Sequence, residues 1–79
     1  MLSFQIIQSG NSTAIQVHID EQGLAILVER IKDARQFGHV HLCTAANGGK
    51  ELDEETPIGH KAVGEVIVDW EGENQQTDH

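Results

Sequence analysis

Hydrophobic and polar residues alternate from the second position of the chain. Leu2, Phe4 and Ile6 are separated by Ser3 and Gln5, a period of two that marks a strand with one buried face. Ser9, Gly10, Asn11 and Ser12 are turn formers, and the alternation resumes at Ile15, Val17 and Ile19 with Gln16 and His18 on the other face. Two alternating runs around a Gly-Asn loop predict a β-hairpin. The period then changes. Leu24, Leu27, Val28 and Ile31 fall at helical spacing, while Glu29, Arg30, Lys32, Asp33 and Arg35 fall mostly off that stripe. Asp20 suits an N-cap because its carboxylate can accept the free N–H groups of a first turn. Glu21 sits favourably at the positive end of the helix dipole, and Gly38 suits the left-handed residue that ends many helices. A helix is expected over residues 21–36.

Period two returns at His39–Thr44, where Val40 and Leu42 share one face and His39, His41 and Cys43 the other. A last strand is expected over residues 61–70, with Val66, Val68 and Trp70 facing the core and Glu65, Ile67 and Asp69 facing away. Gly64 fits a bulge there. Residues 45–60 between these strands read as a loop, with Asn47-Gly48-Gly49 a turn signal and Leu52 and Ile58 directed inward. Loops of this length in compact domains are often functional. Residues 71–79 are polar and acidic and are expected to form a disordered tail.

These elements predict an α+β fold in the order β-β-α-β-β: a four-stranded, mainly antiparallel sheet with one helix on one face, in a single domain over residues 1–70. The other face of that sheet would stay open and carry Gln16, His18, His39, His41, Cys43, Glu65 and Asp69. Its edge strands offer a route to a homodimer.

Length and charge narrow the picture. The 79 residues suffice for one domain, and a domain of this size buries only about 60% of its unfolded surface. Cys43 is the single cysteine, so no intramolecular disulfide can staple the fold, and a reducing cytoplasm is the expected setting. The opening MLSFQIIQSG lacks the basic region and apolar run of a secretory signal. No segment approaches the roughly 20 apolar residues that span a bilayer. The formal net charge of -8 disfavours nucleic acid and anionic membranes as partners. It keeps a small protein in solution and attracts a basic partner.

Several clusters invite chemical readings. His39 and His41 lie two apart on one strand face, and with His18 and Cys43 they compose an alternative metal-binding set. Neither a Cys-x-x-Cys pair nor a His-Glu-x-x-His motif accompanies them. Cys43 near His41 lacks the cleft, base and orienting group that a thiol nucleophile needs, so no catalysis and no cofactor are expected. Gly48-Gly49-Lys50 lacks the upstream glycine and the following Ser or Thr of a phosphate loop. Glu51, Asp53, Glu54 and Glu55 lack calcium-loop spacing and read as a patch that steers a basic protein into contact.

The order of motifs adds a further expectation. Asp20-Glu21-Gln22-Gly23-Leu24 opens the helix, Gly38-His39-Val40-His41-Leu42 forms the third strand, and Gly48-Gly49-Lys50-Glu51-Leu52 opens the loop. In this order the stretch from Asp20 to Leu52 resembles the bacterial Immunity protein 32 family of polymorphic-toxin systems. The matching residues are Gly23, Leu24, His39, His41, Leu42, Gly48, Gly49, Glu51 and Leu52. Asn47 stands where that family often has a tryptophan, and Gly38 where it commonly has an acidic residue. The resemblance implies a cytoplasmic protein that binds and neutralises a cognate toxin, many of which are nucleases with basic clefts. Contact would then fall on His39, His41, Asn47, Glu51, Asp53, Glu54 and Glu55.

Overall fold

The computed structural model describes residues 1–73. Two strands, β1 (Leu2–Ser9) and β2 (Ser12–Ile19), precede the helix α1 (Glu21–Phe37). Strand β3 (His39–Cys43) follows, then one 3-10 turn over Ala45–Asn47, a long connection, and β4 (Glu65–Asp69). The helix begins and ends where its side chains dictate. The Asp20 carboxylate accepts the Gly23 N–H at 2.9 Å and also pairs with the N-terminal amine. At the other end Gly38 adopts φ 102° and donates its N–H to the Ala34 carbonyl, a conformation that costs glycine nothing. Gly23 serves a second purpose: a Cβ there would lie 1.7 Å from the Met1 carbonyl oxygen. The first turn of α1 therefore rests directly on the start of β1.

The sheet differs from the expected one. β1 pairs with β2, β3 pairs with β4, both antiparallel, and the two ladders remain separate two-stranded sheets rather than one of four strands. The cause is the connection between β3 and β4, which occupies the free edge of β1. Asp53 donates its N–H to the Leu2 carbonyl (2.8 Å) and Val63 donates to the Phe4 carbonyl (2.8 Å). The Leu2 N–H donates back to the Asp53 carboxylate at 3.1 Å. The same connection meets β3 on its other side, where Leu52 donates to the Cys43 carbonyl and Thr44 to that of Gly64. Backbone groups that a neighbouring strand would have satisfied are met by a loop instead.

Leu2, Ala34, Val40, Leu42 and Leu52 form the core, with Phe4, Ile26, Leu27, Val66 and Val68 packed around it. The helix faces this core along a line containing Gly23 and Ala34, its two buried residues, because small side chains permit close approach to the strands. Leu27 is shared with the predicted stripe, but Leu24, Val28 and Ile31 are rotated outward and exposed. Trp70 is half-buried rather than in the core. Its indole N–H donates to the Glu73 carbonyl at 2.9 Å, and the Arg35 guanidinium lies 5.7 Å from the ring centroid. Of the two loop residues expected to turn inward, Leu52 is buried and Ile58 is 71% exposed. Of the predicted tail, residues 74–79 lie outside the described residues. Among the described residues no helix is long and apolar enough to cross a membrane.

Candidate functional site

The connection from Thr44 to Gly64 is built as a structure, not as a slack link. Thr44 is buried and its carbonyl accepts the N–H groups of Asn47 (3.0 Å) and Gly49 (2.9 Å). Gly48 closes the 3-10 turn at φ 85°, a left-handed conformation that other residues enter at a cost. Gly49 has a different reason to be glycine: a Cβ there would lie 2.6 Å from both the Cβ and the carbonyl oxygen of Cys43. Further on, Thr56-Pro57-Ile58-Gly59 forms a turn in which Gly59 donates to the Thr56 carbonyl at 2.9 Å, with proline at the second position that such turns favour. The Thr56 hydroxyl accepts the His60 N–H at 3.1 Å, and the backbones of Glu55 and Lys61 pair antiparallel beside it.

Three of the four clustered carboxylates hold this loop in place. Glu51 accepts the Cys43 N–H at 3.2 Å and the Lys50 N–H at 3.4 Å, with the Arg30 Nε 3.8 Å away. Burial alone would raise its carboxyl pKa. The backbone N–H groups of Cys43, Glu51 and Lys50, together with Arg30, outweigh burial and hold it below the ordinary value. Asp53 fastens Leu2, as described above. Glu54 accepts the Ala46 N–H at 2.8 Å, at the start of the 3-10 turn. The fourth, Glu55, is exposed. Asn47 is also architectural: its side-chain amide donates to the Gly64 carbonyl at 3.0 Å. Asn47, Glu54, Glu55, Lys61 and Gly64 line an open hollow of about 620 Å³.

The face of β3 and β4 turned away from the helix is open. Register places Cys43 opposite Glu65, His41 opposite Ile67 and His39 opposite Asp69. His39 and His41 are exposed, and their rings meet edge to face at 5.2 Å. His41 Nδ1 lies 2.7 Å from a Glu65 carboxylate oxygen, and the Cys43 Sγ lies 3.7 Å from the same atom. Partial burial first, then the Glu65 and Glu51 carboxylates, pushes the Cys43 thiol pKa up, opposite to the shift a nucleophilic thiolate requires. Cys43 also touches Gly49, so the strand face and the acidic loop meet at this residue.

His18 does not join this group. It sits in the first hairpin opposite Ser3, with its Nε2 buried and unpartnered. Among the described residues no three His, Cys, Asp or Glu side chains converge to hold a metal ion. The alternative metal set of His18, His39, His41 and Cys43 is therefore not assembled, because its members were assigned to one sheet and belong to two. The structure does join His39, His41, Glu65 and Asp69 on one face, with the acidic loop at its end. The roles of Thr44 and Arg30 had no sequence signal, whereas the Thr56-Pro57 turn went unpredicted although proline at that position marks it.

Charge is distributed as unevenly as structure. All thirteen acidic and five basic residues lie after Ile19. Residues 39–73 hold eight carboxylates against two lysines. Comparison of the chain with family models, with curated proteins and with solved structures yielded no match.

Proposed function

We propose that this protein is a non-catalytic inhibitor, of the toxin-immunity kind, that binds a basic protein through the second hairpin and the acidic loop. One observation carries the reading: within the motifs that resemble the Immunity protein 32 family, most residues have structural duties, whereas the two histidines lie exposed on an open face, His41 beside Glu65. Gly23, Gly48 and Gly49 are required by close approach or by backbone conformation. Leu42 and Leu52 are core, and Glu51 binds backbone. His39 and His41 are left exposed on an open face beside Glu65 and Asp69. Glu54 and Glu55 extend the negative surface from the loop. Such a surface favours rapid, salt-sensitive association with a positively charged partner, a nuclease with a basic cleft being one such class. The binding residues proposed are His39, His41, Glu54, Glu55, Glu65 and Asp69. Glu51, Asp53 and Asn47 hold the loop through hydrogen bonds with backbone groups.

The test compares the tagged protein with a variant carrying Glu55→Gln, Glu65→Gln and Asp69→Asn, each used at low salt to capture partners from its source cells. A basic protein held by the parent, released by salt and lost by the variant is the expected result. A partner retained equally by the variant, or unaffected by 0.5 M salt, would overturn the reading.

A further inference from the structure

The first hairpin stands apart from everything just described. From Leu2 to Ile19 it contains no Asp, Glu, Lys or Arg, in a chain of net charge -8. Its register aligns Leu2 with Ile19, Phe4 with Val17 and Ile6 with Ile15, so all six side chains share one face. The helix covers only the base of that face. Beyond it Ile6 is 57% exposed, Ile15 66% and Val17 42%. The apolar surface continues past Ile19, which lines one hollow with Leu24, onto the exposed helix flank of Val28 and Ile31.

The strand edges point the same way. The outer edge of β1 is filled by Asp53 and Val63, whereas no backbone hydrogen bond from outside the hairpin reaches Ser12–Ile19 among the described residues. Natural sheets protect a free edge with charge, proline, a bulge or shortness. The free edge of β4 carries Glu65 and Asp69. β2 has none of these devices: eight residues, uncharged, without proline, paired in unbroken register to β1.

We propose that β2 is the self-association edge of this protein. Two copies pair antiparallel through it about a two-fold axis at Gln16, making a four-stranded sheet across the dimer. Ile15 of each copy then lies against Val17 of the other, and the base of each hairpin lies beside the tip of its mate. Edge pairing draws on β2 itself: the exposed Ile15, Val17 and Ile19 side chains and the outward backbone N–H and C=O groups of the strand meet their counterparts across the axis. A second copy also suits the charge. The joined strands are neutral, and the negative surfaces stay outside the seam. This inference does not depend on the inhibitor reading.

Salt separates the two. Screening relieves repulsion between two negatively charged copies, so the dimer strengthens with salt, whereas a basic partner is lost. Sedimentation equilibrium of the full chain at 10–200 µM, in 0.05 and 0.5 M NaCl, is expected to give twice the 8.7 kDa chain mass, with a dissociation constant several-fold lower at high salt. The Ile15→Lys, Val17→Lys variant is expected to be monomeric while keeping its helical circular dichroism, since both side chains are exposed. A Gln16→Cys, Cys43→Ser chain is expected to form an intermolecular disulfide on oxidation, which tests the axis without disturbing the apolar face. A monomer under both salts would overturn the proposal and leave the edge to a different protein. So would a dimer weakened by salt, one indifferent to the double lysine variant, or a Gln16→Cys chain that does not cross-link.

Discussion

Replacing Glu51 with alanine measures how much of the acidic loop is architecture. The carboxylate meets the Cys43 N–H in a partly buried setting at 3.2 Å, and a charge-assisted bond of that kind is worth about 1.5 kcal/mol. The Lys50 N–H at 3.4 Å and Arg30 at 3.8 Å are longer and contribute a few tenths of a kcal/mol each. Arg30 keeps its closer carboxylate, Asp33 at 2.9 Å from Nη1, so the loss of Glu51 leaves the guanidinium paired. The expected loss for Glu51→Ala is about 2 kcal/mol, or a fall in Tm of roughly 10 °C for a domain of this size. Urea unfolding followed by circular dichroism reads it directly. The exposed Glu55 provides the control, since Glu55→Ala is expected to change stability by less than about 0.5 kcal/mol. Equal, small effects at both positions would refute the claim that Glu51 anchors the loop.

Two further predictions concern the same region. Gly49→Ala is expected to cost about 1–3 kcal/mol, because its Cβ would collide with the Cys43 backbone and force the strand and loop apart. Gly48→Ala meets open space and suffers only its positive φ, about 1 kcal/mol, and asparagine is expected to recover part of that loss at residue 48 but none at 49, by thermal melts of the four variants. The pH response follows from Asp20, held low by the N-terminal amine and then the Gly23 N–H, and from Glu51, held low by backbone N–H groups against its burial. Depressed carboxyls contribute stability that is complete above their unfolded values, about pH 4, and lost as pH falls through the lower folded values. Melts below pH 4 are expected to narrow the gap between parent and Glu51→Gln, and a gap independent of pH would exclude Glu51 as the titrating group.

Much of the fold was legible because its signals are local. Alternation around Gly10-Asn11 located the first hairpin, and the Asp20 cap and Gly38 stop located a helix that ends one residue beyond its predicted limit. The face the helix buries was misread. Hydrophobicity pointed to Leu24, Val28 and Ile31, but the strands accept the smoother line of Gly23 and Ala34, and small size rather than apolar character decides the closest approach. The continuous sheet was misread for a different reason. Asp53 stands 51 residues from the Leu2 N–H it receives, and no local pattern announces that a loop will take the place of a strand. The candidate site was half legible. Acidic residues of the loop were visible as a cluster, but whether a carboxylate faces solvent or a backbone N–H depends on the three-dimensional path of Thr44 to Gly64.

That path also sets an order on synthesis. A chain emerges from its N-terminus, so β1, β2 and α1 are complete long before residues 53 and 63 exist. Until then the outer edge of β1 has no partner, and the nascent hairpin presents both of its edges bare, with no charged residue on either strand. The last third of the chain thus acts on the first as an internal guard. It closes one edge only once Val63 has left the ribosome and folded back onto Phe4, and among the described residues it leaves the other edge of the hairpin open.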